Sequence, residues 1–136
     1  MEQPQRKAAR HPKNVTAKRD LLSSPHDRPP LISLSIGITA RRQGRYPLAQ
    51  RACHDARERY RARYGPEDVG TLVSRGELAL VLADLGRPAA AEEELRAVTK
   101  TARRALGDAH PATMALRDSL TPVQHHTGRI PETEAL

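Results

Sequence analysis

Aromatic residues are almost missing from this chain: 136 residues hold three Tyr, no Phe and no Trp. Cores of β-sandwiches and barrels lean on aromatic and β-branched side chains, so that class is disfavoured. Cys53 is the only cysteine, so no disulfide forms within the chain. No apolar run approaches the roughly 20 residues that cross a bilayer. No Gly-rich phosphate loop, zinc-ligand spacing or Ser-His-Asp order is present, and no catalysis, cofactor or metal is expected. The length fits one domain at most. What remains is rich in Ala and Arg, and helical.

The charge is uneven within a net +7. Residues 1–30 hold seven basic and three acidic side chains, and residues 41–64 hold eight Arg against Asp55 and Glu58. Residues 65–136 hold eight basic against eleven acidic. Only four of the 23 basic residues are Lys, a bias that fits a GC-rich, bacterial genome better than a nucleic-acid partner. Residues 1–30 include five Pro and few apolar side chains, and read as a disordered basic tail. The uncharged run Leu31–Ala40 follows. The basic region before it is too long and too mixed for a signal peptide, so it reads as a buried first helix of a cytoplasmic protein.

A 42-residue period organises the rest. It relates Gly44-Arg45, Gly86-Arg87 and Gly128-Arg129, and also Gly65 with Gly107 and Thr71 with Thr113. Apolar or small residues at 49, 53, 56, 60 and 64 recur at 91, 95, 98, 102 and 106. Those steps of three and four hold one face of an α-helix. Helices are therefore expected over Pro47–Arg63 and Pro88–Leu106, opened by Pro and closed by Gly65 and Gly107. A more apolar helix is expected from Asp68 or Val69 to Leu85, and Leu31–Gln43 takes its place in the first unit. Each unit is a helix–turn–helix hairpin, and such hairpins stack. Pro122 falls inside the third such helix and is expected to stop or kink it. Residues 128–136 begin one more helix. Units near 31–64, 66–106 and a degenerate 108–136 make about two and a half repeats over 31–136.

The segment Leu78–Leu120 resembles the 42-residue tetratricopeptide repeats of the kinesin light chain type. Leu78-Ala79, Leu82, Gly86-Arg87 and Ala91-Glu92 carry the core motif. Leu106-Gly107, His110-Pro111 and Thr113 carry the linker, where His110 is expected to hydrogen-bond within the turn. The resemblance implies an all-α superhelix of stacked antiparallel hairpins, whose concave face of first helices takes peptides or partner proteins. Carried onto this sequence, that face is the polar stripe Ser74, Glu77, Val81 and Asp84, whose acidity suits a basic or amphipathic peptide. Gly76 and Glu77 depart from the family, which often has Asn or similar residues there.

Two alternatives stand beside this non-catalytic scaffold or adaptor. One is binding to nucleic acid or an acidic surface through the tail and Arg51, Arg57, Arg59, Arg61 and Arg63. Asp55 is placed to pair with Arg59, and Tyr60 and Tyr64 fall on the core face, away from bases. The other is a truncated remnant of a longer repeat regulator. Self-association through the open last repeat is a further expectation. Cys53 matches Leu95 in the period and reads as a core residue, not a nucleophile.

Overall fold

The computed structural model describes residues 28–126. The expected tail before residue 28, and Gly128 with the last expected helix, lie outside them. Among the described residues there are five α-helices and no strand. They are α1 (Pro30–Arg42), α2 (Tyr46–Tyr64), α3 (Val69–Asp84), α4 (Pro88–Leu106) and α5 (Pro111–His126). Each packs on the next, and α3 also touches both α1 and α5. The fold is an all-α stack of helical hairpins, α1/α2 and α3/α4, followed by the first helix of a third unit.

The chain's local chemistry explains these boundaries. Pro30 and Pro88 open their helices and Pro47 sits at the second position of α2, where a missing N–H leaves no bond unmade. The turns inside the two hairpins are the same structure 42 residues apart. Gly44 and Gly86 take φ of 77° and 88°, a left-handed conformation that costs glycine least. The Arg45 and Arg87 amides then donate back to Ala40 O at 2.8 Å and Leu82 O at 2.9 Å. The Gly44 and Gly86 amides donate to Arg41 O and Ala83 O, both at 3.0 Å. That pair of bonds satisfies helix-end carbonyls. Between units, Asp68 Oδ2 accepts from the Gly70 amide at 2.9 Å, capping α3. Forty-two residues on, His110 Nδ1 accepts from the Ala112 amide at 3.0 Å and caps α5.

The core is made of small and aliphatic side chains in two clusters. Leu72, Ala79, Ala91, Leu95, Val98, Ala102, Leu116 and Val123 fill one. Ala40, Ala49, Cys53 and Val81 fill the other. Small residues let the helices approach closely. At Gly37 a Cβ would run into Cys53 Sγ and lie 3.1 Å from the Cys53 backbone nitrogen, so α1 meets α2 there through bare backbone.

Three expectations change. Pro122 does not stop its helix: α5 continues to His126. Pro122 sits in the last third of the helix and forfeits the bond its amide would make to residue 118. Val123 and Gln124 behind it are buried and hold that last turn against the stack. Tyr64 is not on the core face but 56% exposed, because α2 outlasts its cover. The folded part also begins before residue 31. Pro30 is buried, and Arg59 Nη1 donates to Arg28 O at 3.0 Å.

Candidate functional site

The first helices of the hairpins, α1, α3 and α5, lie side by side with α3 in the middle. The expected stripe runs along α3, and its four residues separate in depth. Ser74 and Val81 are fully buried. Val81 packs with Ala40, Ala49 and Cys53, so these two are enclosed rather than presented to a ligand. The narrow polar stripe is thus a seam between helices at those positions. Glu77 is half-buried, and burial pushes its carboxyl above the ordinary range, with Arg41 and Arg42 opposing and Asp84 adding to the rise. Its Oε1 is enclosed and accepts no hydrogen bond, and neither does Ser74 Oγ. Asp84 is exposed and forms an ion pair across helices with Arg41 at 3.1 Å.

Toward the C-terminal ends of these three helices the face opens into a hollow of about 350 Å³. Arg41 from α1, Leu80 and Asp84 from α3, and Asp118, Pro122 and Val123 from α5 line it. Two carboxylates face one guanidinium there. Helix C-termini carry partial negative charge, and α3 has no basic residue in its last turn to offset it. The hollow therefore favours a cation over an anion. The sequence did not point to Asp118, because nothing local tells which turn of α5 lies opposite α3. Gly76 explains how α5 comes so near: a Cβ there would meet Leu116 Cδ2.

The arginine set on α2 is largely answered from within the chain. Arg59 pairs with Asp55 at 2.8 Å, as its spacing indicated. Arg57 pairs with Glu58 at 3.1 Å, and Arg61 lies 4.0 Å from the same carboxylate. The Arg63 guanidinium sits 5.7 Å over the Tyr64 ring, and Tyr64 stands 6.1 Å from Tyr60. Asp55 also accepts from Ser33 Oγ at 2.5 Å and faces Arg28 at 3.9 Å. That second role was invisible in sequence, since Ser33 is 22 residues away. Arg51 lines a separate pocket of about 780 Å³ with Ile36, Leu48, Ala52, Leu78 and Leu82.

Cys53 is fully buried, and burial, with Glu77 adding, pushes its thiol up to about 12. It is a packing residue with negligible thiolate. Among the described residues no group of three or more His, Cys, Asp or Glu could hold a metal ion. No described helix is long and apolar enough to cross a membrane.

A protein-family model described as tetratricopeptide repeat matches residues 31–103, more than half of the chain. A search of curated proteins returns no match.

Proposed function

Because the chain belongs to the tetratricopeptide repeat family, we propose that it is a non-catalytic scaffold or adaptor that holds a basic or amphipathic peptide of a partner protein on the face of α1, α3 and α5. Repeats of this family generally mediate protein–protein interactions. The observation that carries the reading is the hollow with Asp84 and Asp118 on opposite helices. Its apolar floor of Leu80 and Val123 suits the aliphatic stem of a Lys or Arg, whose charged end then meets the carboxylates. The Gly86-Arg87 and His110-Pro111 punctuation supports the kinesin light chain type within the family. Arg usage and the absence of a long apolar run support a bacterial, cytoplasmic setting. The nucleic-acid alternative has less support, since Arg57, Arg59 and Arg61 already face carboxylates.

An affinity pull-down tests this, with the recovered partner identified and its binding remeasured on variants. Asp118→Lys should weaken binding more than Asp84→Lys, because Arg41 already neutralises Asp84. Each should cost about tenfold or more, the size of a lost charge pair at a partly buried site. Binding that survives both reversals would refute the assignment of this face. Binding lost instead on Arg51→Glu and Arg63→Glu, with a steep salt dependence, would favour the nucleic-acid reading.

A further inference from the structure

The hollow between α1, α3 and α5 already holds a cation of the chain's own. Arg41, in the last turn of α1, lines it together with Asp84, Asp118, Leu80 and Val123. Charge, more than geometry, keeps its guanidinium there. Arg41 Nε lies 3.1 Å from Asp84 Oδ2, yet the same nitrogen is enclosed and makes no hydrogen bond. An enclosed donor without an acceptor is costly. A complementary atom on α3 is in the same condition: Glu77 Oε1 is enclosed and accepts no hydrogen bond. Glu77 and Asp84 are seven residues apart, two turns along one face of α3, and the Arg41 charge acts on Glu77 as well. Arg42, the other cation acting on Glu77, does not line the hollow.

We propose that Arg41 is a built-in placeholder for the partner's cation: an arginine side chain of the partner takes its place beside Asp84 and Asp118, and the Arg41 guanidinium turns to Glu77. This rests on the reading of the hollow as the partner site, and adds the side chain it takes and how it is regulated. The hollow fits a guanidinium, because it already encloses one. Arginine is favoured over lysine because a planar fork can engage two carboxylates at once. Asp118 is in no ion pair of the described residues, so negative charge is left over for a second cation. Two guanidiniums beside Asp84 repel, however. Turning Arg41 to Glu77 relieves that repulsion and pairs the two enclosed atoms that are unpaired in the free protein. The exchange needs only a change of side-chain rotamer, and at 28% exposure the Arg41 side chain has an open side through which to move. The site is therefore open only in molecules whose Arg41 has turned away, and apparent affinity falls by that fraction.

Two-dimensional NMR of the isotope-labelled full chain tests this. The probe is acetyl-arginine amide, with acetyl-citrulline amide as its uncharged counterpart. The arginine probe should shift the amides of residues 80–84 and 117–121. Arg41→Met, which keeps an unbranched apolar stem, should bind it at least about tenfold tighter than the wild type, since like charges no longer share the site. Arg41→Gln should do the same, and the spectra show that each variant is folded. Equal affinity in the wild type and both variants would overturn the placeholder and leave the acidic hollow standing as the partner site. Shifts absent from all three proteins, or produced equally by citrulline, would overturn it together with the reading it rests on. Glu77→Gln tests the turn of the side chain. It should weaken binding at least about threefold more with Arg41 present than in the Arg41→Met background. Equal effects in the two backgrounds would overturn the transfer of Arg41 to Glu77.

Discussion

Two helical glycines make the sharpest test of how this stack is packed, because the same substitution should have opposite signs at the two. Gly37 and Gly76 are both buried within helices, and replacing either with Ala removes the same helix-propensity penalty of about 1 kcal/mol. Their surroundings differ. A Cβ at Gly37 meets Cys53 Sγ and stands 3.1 Å from the Cys53 backbone nitrogen, with Ala49 O at 3.5 Å. Backbone in a packed helix cannot rotate away, so α1 must lift from α2. Overpacking of this kind costs about 1–3 kcal/mol, which leaves Gly37→Ala net destabilised by up to about 2 kcal/mol. A Cβ at Gly76 meets Leu116 Cδ2, and the next atom is 3.8 Å away. That methyl is the far end of a flexible side chain and can turn aside. Gly76→Ala should therefore be neutral or stabilising by up to about 1 kcal/mol. Urea unfolding of the full chain, followed by far-UV circular dichroism, measures both. A gap of about 2 kcal/mol separates the midpoints by about 1 M at ordinary urea slopes. In the double variant Gly37→Ala with Cys53→Ala, part of the loss should return, because Sγ is gone while the backbone contact stays. Shifts of equal sign and size at Gly37 and Gly76 would refute the packing assigned to the α1–α2 crossing.

Glu77→Gln should flatten part of the pH dependence of stability. Its folded carboxyl lies above the ordinary 4.5 because burial disfavours the charge. Its stabilising contribution is therefore complete below 4.5 and is lost as pH rises through the folded value. The variant should gain on the wild type from acid toward neutral pH in urea midpoints, and a constant difference would contradict this. Cys53, held at about 12 rather than 9.0, has about a thousandfold less thiolate at neutral pH than a free thiol. Iodoacetamide should label it only when urea unfolds the chain, and rapid labelling of the folded protein would place it elsewhere. His110→Ala removes the acceptor that caps α5 and should cost about 1 kcal/mol, while His110→Asp, copying Asp68, should restore the cap. Equal midpoints for the two variants would show that the side chain does not cap.

The helices were readable because their determinants are local. The three- and four-residue spacing of apolar positions, the two hairpin glycines and the opening prolines all act within a few residues. Expected and observed boundaries accordingly agree to within a residue or so, as for Pro88–Leu106. Depth was less readable. Periodicity tells which residues share a helix face, but not what covers that face. Ser74 and Val81 were polar-stripe positions by spacing and are enclosed by neighbouring helices. Tyr64 continued the apolar series of α2 yet stands beyond its cover. Pro122 was judged by its effect on one backbone bond, whereas the burial of Val123 and Gln124 sets the end of α5. Of the stripe positions singled out by spacing, Asp84 lines the hollow and Glu77 does not, while Asp118 and the Ser33–Asp55 contact depend on tertiary packing.

The formal charge of +7 says less about partners than its size suggests. Within the described residues the arginines are spent mostly on the chain itself, and several pairs join different helices. Arg41 reaches Asp84 from α1 to α3, and Arg75 reaches Glu94 from α3 to α4. Arg104 of α4 reaches Glu67, in the connection before α3, at 2.6 Å. Exposed pairs such as the last add little stability each. They matter more for what they remove from the surface: a guanidinium already facing a carboxylate is a poor phosphate ligand. Asp118 has no such partner among the ion pairs of the described residues, and from the middle of α5 it lines the hollow shared with α1 and α3. A chain basic in total can thus carry an acidic hollow. The sign of the local field at that hollow, not the net charge, is what a partner would meet first.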